Sequence, residues 1–411
     1  MRTFTLHLKL FITLGICLGL NAQTFEYKDT GTSFILFDLS IPPESSETAY
    51  AVGSKYTVDS EGIIIKTTDG GETWETIYPT EGTAPSFEKI EFINENTGFV
   101  VGYNLALKTE NGGVTWEEIT VGTDVYLYNN LTFYDENTGV ITAQLNGSPY
   151  FGIYLTSDGG NTWTPSTNVN NAGGIAIDYA DENTVFSVGN NEVISKSTDG
   201  GNTWEYLNQT TSGLYNIEVF FKDTDNGFVA GDDGKLMITH DSGETWNSFS
   251  TGYHNFYALY YKGEKLIAAG TDEDIYISED NGETWNILFN GSGGSTFHGI
   301  DLFADDSGLI CGSGGKMVKF QDVFMSTSEN DLIKNNVIGY YNSNTGIYTV
   351  YSKNSTINNI VIFNTAGQMM NSFKVNSMNT HTNISAYPSG VYFIKVTTEG
   401  GKTFNLKLIK K

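Results

Sequence analysis

The sequence predicts an all-β fold made of one repeated four-stranded unit, followed by a smaller β-structured tail. Three observations lead to this prediction: all six tryptophans end copies of one eight-residue motif, the motifs recur at a nearly constant spacing, and the charge changes sharply near residue 325. Self-similarity at a fixed period is the sequence signature of repeat architectures. The repeat therefore has to be explained before any functional site.

Each motif reads Ser/Thr, any residue, Asp/Asn, any residue, Gly, any residue, Thr, Trp. A carboxylate or amide at the third position can accept backbone N–H bonds inside a turn, and the glycine can adopt a positive φ. An apolar segment precedes each motif and a short extended segment follows it, so the motif predicts the turn of a hairpin. The residues given this structural role are Asp69, Trp74, Asn111, Trp116, Asp158, Trp163, Asp199, Trp204, Asp241, Trp246, Asp280 and Trp285.

The spacing of the motifs identifies the repeated unit. Successive tryptophans are 42, 47, 41, 42 and 39 residues apart, which fits one four-stranded propeller blade. After the sixth motif, three more strands are predicted between residues 297 and 320, without a fourth. Residues 24–28 begin Thr-Phe-Glu, much as Thr73-Trp-Glu75 begins an outer strand. We therefore predict that residues 24–28 complete the last blade of a closed seven-bladed β-propeller, which removes two exposed sheet edges.

The motif resembles the Asp-box of sialidase-type (BNR) repeats, and the repeat style is similar to that of photosystem II stability factors. Sialidases of this kind grip the substrate carboxylate with an arginine cluster, whose planar donors bind it bidentately. The one arginine of this chain is Arg2, so an arginine-dependent sialidase is excluded. The arginine-rich face of the photosystem II stability factors is equally absent. The resemblance therefore implies the fold and not the role.

The first 22 residues predict a secretory signal peptide, with Arg2 and Lys9 before an apolar run from Leu10 to Leu20 that is too short to span a membrane. A lipoprotein anchor at Cys17 is disfavoured, because bulky Ile16 precedes it. Removal of this segment leaves Cys311 as the only cysteine, so no intramolecular disulfide is expected. Cys311 falls in a predicted core strand and is expected to be buried.

Charge divides the remaining chain in two. Residues 23–325 carry a net charge of −33 and residues 326–411 a net charge of +5. Nucleic acid and anionic membrane both require a cationic surface, so neither is expected as a partner of the acidic part. We predict a propeller over residues 23–322, a linker over 323–336 and a small β-sandwich over 337–411.

The tail contains an ordered set of short motifs. They are Asn358 to Gln368, His381 to Ser385, Pro388 to Lys395 and Lys402 to Lys410. Together they resemble the C-terminal sorting domain of type IX secretion, and the resemblance covers about the last 75 to 85 residues. It implies export across the outer membrane, with the type IX machinery as a partner and a final location outside the cell or on its outer surface.

Carboxylates recur in the predicted inner strands. An alignment of the seven strands puts Asp38, Glu91, Thr132, Ala176, Glu218, Tyr260 and Asp301 at one equivalent position. If this position faces the channel, Asp38, Glu91, Glu218 and Asp301 could hold a hydrated cation such as calcium. Glu91 and Asp301 could instead form an acid/base pair for glycoside hydrolysis. The alternative is that these polar residues only line a water-filled tunnel.

The face opposite the motif turns is expected to carry the longer loops, which are rich in Tyr, Asn, Gly and Ser. Such loops suit stacking and hydrogen bonding to sugars or proteins. The candidate ligand contacts are Tyr126, Tyr128, Tyr150, Phe151, Tyr215 and Tyr253. His254 and His298 are placed in loops that could meet between blades, but two imidazoles without a third ligand do not predict a zinc site.

These features favour a non-catalytic binding propeller, secreted or on the cell surface, that recognises a polysaccharide or a protein with its loop face. The first alternative is a glycoside hydrolase or lyase of the Asp-box propeller type, although such enzymes usually pair two propellers across a cleft. The second alternative is a surface assembly or adhesion factor. No cofactor is expected, apart from calcium at the channel carboxylates.

Overall fold

The computed structural model describes residues 24–55, 61–79, 82–148, 151–167, 174–208, 213–250, 254–291, 293–321, 323, 337–342, 347–352, 355–365 and 367–410. The chain divides into two compact units, Met1–Phe324 and Met325–Lys411. The predicted signal peptide and most of the predicted linker lie outside the described residues. The exact domain limits given above stay predictions.

The first unit contains seven antiparallel four-stranded sheets, which are the blades of a β-propeller. The strands of the first three blades, from the inner to the outer, are β2 (Ile35–Ser40), β3 (Ala49–Ser54), β4 (Gly62–Thr67) and β5 (Glu75–Tyr78); β6 (Phe87–Phe92), β7 (Gly98–Gly102), β8 (Leu105–Thr109) and β9 (Glu117–Glu118); and β10 (Val125–Phe133), β11 (Gly139–Leu145), β12 (Phe151–Thr156) and β13 (Thr164–Pro165). The seven-bladed prediction is confirmed.

Blades 4 to 6 follow the same order. Their strands are β14 (Gly174–Tyr179), β15 (Val185–Gly189), β16 (Ile194–Ser197) and β17 (Glu205–Asn208); β18 (Asn216–Phe221), β19 (Gly227–Gly231), β20 (Lys235–Thr239) and β21 (Asn247–Ser250); and β22 (Phe256–Lys262), β23 (Lys265–Gly270), β24 (Ile275–Ser278) and β25 (Asn286–Phe289). A single 3₁₀ turn, Asp232–Gly234, joins the second and third strands of blade 5.

Blade 7 is built from both ends of the propeller. Its three inner strands are β26 (Phe297–Leu302), β27 (Gly308–Gly312) and β28 (Lys316–Gln321), with a 3₁₀ turn at Ser313–Gly315. The outer strand is β1 (Thr24–Asp29), which pairs antiparallel with β28 from Thr24↔Gln321 to Asp29↔Lys316. The predicted closure of the ring by residues 24–28 is therefore confirmed. Cys311 of β27 is fully buried, as predicted.

The eight-residue motif forms the turn between the third and fourth strands. In blade 1 the Thr67 hydroxyl donates to Asp69 at 2.7 Å, while Asp69 accepts the Thr73 amide at 2.9 Å and the Thr73 hydroxyl at 2.6 Å. These donors lower the pKa of Asp69 to about 2, with the Thr73 hydroxyl as the largest cause. The same pattern recurs in the other motifs, except that Asn111 donates its amide to the hydroxyl of Thr115. The structural role of the motif residues stays a prediction, which these contacts support.

The motif also joins neighbouring blades. The φ of Gly160 is +76°, and a Cβ on this residue would lie 2.5 Å from a ring carbon of Phe99 in the preceding blade. Trp204 of blade 4 is only 4% exposed and shares an apolar cluster with Val140 and Ile153 of blade 3. Each of the six blades that contain the motif therefore contributes its motif glycine and tryptophan to the core of the junction before it.

The second unit is a small β-sandwich of two sheets. One sheet is β29 (Val337–Asn342), β30 (Ile347–Ser352) and β33 (Asn379–Asn383), and the other is β31 (Ile357–Asn364), β32 (Met369–Ser377), β34 (Gly390–Thr398) and β35 (Thr403–Lys410), in the order β32-β31-β34-β35. Val337 and Val350 of the first sheet share one buried cluster with Ile360 and Ile394 of the second. The predicted sandwich is confirmed.

Candidate functional site

A cavity of about 270 Å³ lies at the centre of the propeller and is lined by the inner strands. Side chains in a strand alternate in direction, so residues i and i+2 of an inner strand face the same side. The cavity lining contains five carboxylates and one lysine. They are Asp38, Glu91, Asp178, Glu218 and Asp301 with Lys89.

The strand register corrects the predicted alignment of the inner strands. In blades 1 to 6 it can be read from the residue before the motif, across the second strand, to the inner strand, and in blade 7 from the equivalent residue, Lys319 of β28. This places the following residues at one level, here called the box-side level: Ser40, Glu91, Thr132, Asp178, Phe220, Tyr260 and Asp301. The prediction that Asp38, Ala176 and Glu218 share this level with Glu91, Thr132, Tyr260 and Asp301 is wrong. Those three residues belong to a second level.

The second level, here called the loop-side level, lies two residues earlier in each strand. It consists of Asp38, Lys89, Asn130, Ala176, Glu218, Ala258 and Gly299. A slip of two residues keeps every side chain on the same face of a strand, so the alternation of apolar and polar residues does not reveal it. The alignment therefore missed Asp178, Lys89 and Ser40.

A signal in the sequence could have found Asp178. In blades 2 to 5, the turn after the inner strand begins with Asn94, Asp135, Asp181 or Asp223, and the Asn94 side chain accepts the amides of Asn96 and Thr97 at 2.9 and 2.8 Å. Counting back three residues from each of these turn residues gives the box-side level. Asp181 then points to Asp178 and not to Ala176.

Most of the channel carboxylates hold the ring together. At the box-side level, Asp301 accepts the amide of Ile41 at 2.7 Å, Glu91 that of Phe133 at 3.2 Å and Asp178 that of Phe221 at 2.7 Å. Phe133 and Phe221 lie in the inner strand of the next blade, and Ile41 directly follows the inner strand β2. Such a bond satisfies a backbone group that the blade's own sheet leaves unpaired. These side chains therefore connect neighbouring blades.

The loop-side level is organised around a single cation. The Nζ atom of Lys89 lies 3.4 Å from Asp38 Oδ1 and 4.0 Å from Glu218 Oε2. Burial lowers the pKa of Lys89, but the surrounding charges of Asp38, Glu218 and Glu91 outweigh this effect and raise it, so the lysine is charged. Asp38 also accepts the amide of Ile90 at 3.0 Å. One ammonium group thus faces several carboxyl groups.

Burial raises the pKa of the box-side carboxyl groups, to about 8 for Glu91 and to about 7 for Asp178 and Asp301. A raised pKa in the folded state means that folding favours the protonated form of the carboxyl group. The stability that the protonated groups contribute is therefore fully present below the pKa that the same groups have in the unfolded chain. It is lost as the pH rises toward 7 or 8. The channel is therefore expected to weaken the propeller at alkaline pH.

The first test is the pH dependence of thermal unfolding. We expect the melting temperature of the chain to fall between pH 5 and pH 8, because the buried carboxyl groups must ionise over this range. The fall should be smaller in the Glu91→Gln/Asp301→Asn variant, whose amide oxygens can still accept the backbone bonds. Glu117→Gln, at an exposed position of β9, is the control. A melting temperature that rises toward pH 8, or an unchanged slope in the double variant, contradicts this expectation.

The structure places the predicted loop aromatics differently from one another. Tyr126 and Tyr215 are 39% and 45% exposed, at the loop face. Tyr128 is only 5% exposed and belongs to the apolar core of blade 3, so its assignment as a ligand contact is corrected. The reason is that β10 already begins at Val125, where a loop was predicted. Phe151 is half-buried at the start of β12. Tyr150 and Tyr253 lie outside the described residues.

The two histidines have separate surroundings. His298 lies in β26 and not in a loop, and its ring contacts Phe37 and Tyr257 edge-on at 5.7 and 5.2 Å. His254 Nδ1 lies 3.4 Å from Asp272. Within the described ranges, no three His, Cys, Asp or Glu side chains are arranged to hold a metal ion.

Sequence comparison identifies both parts of the chain. The family model described as the photosynthesis system II assembly factor YCF48 matches residues 20–178 and 168–252, which is more than half of the chain. The chain belongs to this family. The model of the secretion system C-terminal sorting domain matches residues 339–411, which indicates type IX secretion to the cell surface or outside. A search of curated proteins returned no match.

Three solved structures, two of them of YCF48, are similar to this chain in fold. "YCF48 bound to D1 peptide" is 22% identical with a TM-score of 0.59, over 73% of this chain and 98% of that chain. YCF48 from Cyanidioschyzon merolae is 19% identical with a TM-score of 0.57, over 72% of this chain and 98% of that chain. PorZ, titled a surface component of the type IX secretion system of Porphyromonas gingivalis, is 13% identical with a TM-score of 0.55, over 93% of this chain and 60% of that chain. In the part of the chain that is described, no helix is long and apolar enough to cross a membrane.

Proposed function

We propose that this YCF48-family chain is a non-catalytic binding propeller, at the cell surface or outside the cell, that holds a segment of another protein against its loop face. The observation that carries this proposal is the pair of exposed tyrosines on that face, Tyr126 and Tyr215. Exposed aromatic side chains on a rigid support are typical anchors of protein interfaces.

The backbone around both tyrosines is held in place. The Tyr126 carbonyl accepts the amide of Asn104 at 3.1 Å, and the ring of Tyr126 lies 5.1 Å from that of Tyr103. The amide of Tyr215 donates to Asp232 at 3.0 Å. Because these anchors are already ordered, a partner would bind them at a smaller entropic cost. A family member whose structure is titled as bound to a peptide supports a protein segment as the ligand.

The channel favours this proposal over the hydrolase alternative. A catalytic pair needs carboxyl groups that are free to exchange protons with the substrate. Glu91 and Asp301 instead each accept a backbone amide of the next blade. A surface assembly or adhesion factor requires a protein ligand too, so that alternative remains a form of the same proposal. Polysaccharide recognition is decided by the experiment below.

The test presents the purified full chain to two arrays, one of peptides from surface and secreted proteins and one of polysaccharides. We expect selective peptide binding that falls about tenfold or more in Tyr126→Ala, as for an interface anchor. The matched control is Tyr206→Ala, because Tyr206 is also 39% exposed but lies on the outer strand β17. Binding to polysaccharides alone, or equal losses in both variants, refutes the proposal. If the chain releases reducing ends from a polysaccharide and Glu91→Gln abolishes this release, the hydrolase alternative would be supported instead.

A further inference from the structure

The second unit has one long edge that passes from one sheet of the sandwich to the other. Among the described residues, β32 pairs only with β31 and β33 pairs only with β30, so both are edge strands. A single residue, Met378, separates β32 from β33 in the chain. Residues 369–383 therefore form one continuous edge that belongs to both sheets and is here called the switch edge.

The switch edge lacks most of the features that protect sheet edges from pairing with other chains, which include short length, lysines and proline. Its strand β32 has nine residues, whereas the outer strands of the propeller have two to six. The outer strand β13 also ends in Pro165, and β35, at the other edge of the same sheet as β32, carries Lys407 and Lys410. By contrast, β32 contains one lysine, Lys374, and no proline.

Part of the backbone of β32 is directed away from its neighbour. The Ser372 amide donates to the side-chain oxygen of Asn371 at 2.8 Å, so it is not used in the pairing with β31. The register of the two strands is regular from Asn371 to Lys374. Since the backbone groups of an antiparallel strand point to alternate sides at successive residues, the Lys374 amide is directed outward as well. Such outward groups are a template for the backbone of another strand.

The switch edge also exposes apolar side chains. Met369, Met370 and Met378 are 64%, 39% and 45% exposed, whereas Met237 and Met317 of the propeller are buried. Methionine side chains adapt to differently shaped surfaces and are over-used at binding surfaces. The edge therefore offers apolar contacts beside its outward backbone groups.

Charge indicates the kind of partner. Residues 326–411 have a net charge of +5, and no Asp or Glu occurs between residues 332 and 398. The switch edge itself contains Lys374 and His381. A partner segment with carboxylates would meet only groups that are neutral or of opposite charge, whereas a second copy of the chain would bring two edges of the same sign together. Complementary charges favour the first arrangement, and like charges oppose the second.

We infer that the switch edge is a docking site for an extended, carboxylate-bearing segment of a partner protein. The segment adds a fifth strand beside β32 to a sheet that has four, and its backbone bonds to the outward groups of Ser372 and Lys374. Its apolar side chains contact the exposed methionines, and a carboxylate pairs with the Lys374 ammonium. This site belongs to the second unit and not to the loop face of the propeller, so the inference does not depend on the proposed function.

The test titrates the full chain with two blocked peptides and follows hydrogen–deuterium exchange. The peptides are acetyl-Thr-Val-Glu-Val-Glu-Val-Thr-amide and its counterpart with lysine in place of glutamate. We expect the acidic peptide to bind about tenfold more tightly or better, and to slow exchange at Ser372 and Lys374, because paired strand amides are protected. Lys374→Glu should abolish or reverse this preference. The matched control is Lys402→Glu, an exposed position of the same unit outside the switch edge, which should leave it unchanged.

A second variant tests the backbone pairing. Lys374→Pro removes an outward amide, which an edge strand tolerates, so it should abolish binding of the acidic peptide with little change in melting temperature. If this variant does not fold, as judged from its melting curve, Lys374→Glu decides alone.

Several outcomes overturn the inference. They are equal binding of the two peptides, no binding of the acidic peptide up to about 1 mM, and unchanged exchange throughout β32. A dimer of the free chain that is lost in Lys374→Glu would make a second copy the occupant instead. Displacement of the acidic peptide by phosphatidylglycerol vesicles would assign the switch edge to a lipid surface.

Discussion

A chain that lacks residues 24–29 is expected to lose more than about 5 kcal/mol of its free energy of unfolding. Strand β1 pairs with β28 over six residues, at roughly 1 kcal/mol per net backbone hydrogen bond. Phe25 stacks on Phe289 at 5.0 Å and on Phe320 at 6.1 Å, and burial of such a ring contributes about 2 kcal/mol more. Domains have a total stability of only about 5–15 kcal/mol, so the ring should open or fail to fold.

The measurement is chemical denaturation of the shortened and the complete chain, followed by tryptophan fluorescence and by light scattering. Removal of β1 exposes the edge of β28, and such edges associate with other strands. A synthetic peptide of residues 24–29 should therefore restore part of the lost stability when it is added in excess, because it binds only the folded ring. A shortened chain that remains monomeric with an unchanged denaturation midpoint contradicts the role given to β1.

The substitution Trp204→Ala is expected to lower the free energy of unfolding by about 3–5 kcal/mol, as in other large-to-small core substitutions. Trp204 is 4% exposed, packs in the cluster that joins blades 3 and 4, and donates its indole N–H to the Gly201 carbonyl at 2.9 Å. Alanine leaves a cavity at this junction and an unpaired carbonyl oxygen. The effect should therefore exceed that of a surface change in the same blade.

Tyr206→Ala, two residues further along the chain on an exposed strand, is the comparison, and its effect should stay within about 0.5 kcal/mol. Denaturation by urea with a constant slope would show that the loss is one of stability and not of compactness. A loss below about 1 kcal/mol for Trp204→Ala would mean that the motif tryptophans are replaceable, and the assignment of the motif to the blade junctions would be wrong.

The repeated motif carried enough information to predict the propeller. Its turn depends on local contacts, such as those of Asp69 with Thr67 and Thr73, which any chain with these residues can form. Because the four strands of each blade follow one another in the chain, hairpin pairing follows from sequence order. The pairing of β1 with β28 could be predicted as well, since a three-stranded last blade leaves one edge for the leftover N-terminal strand to cover.

The candidate site was predicted less well, for a reason of register. Asp38 and Glu218 face the cavity as Glu91 and Asp301 do, but they lie one level away, and Asp178 was missed. A shift of two residues between the aligned strands leaves the alternation of their side chains unchanged. The sequence pattern therefore identified the face of these residues and not their height in the channel.

The sequence by itself determined the seven-bladed ring and its closure, because these rest on local turns, period and composition, and it identified the sorting tail through its resemblance to a known family. Only the tertiary structure decided what each channel side chain contacts. The bonds from Asp301 to Ile41 and from Glu91 to Phe133 join residues of different blades. Contacts between blades depend on how the finished sheets are placed around the axis, and no single repeat encodes that placement.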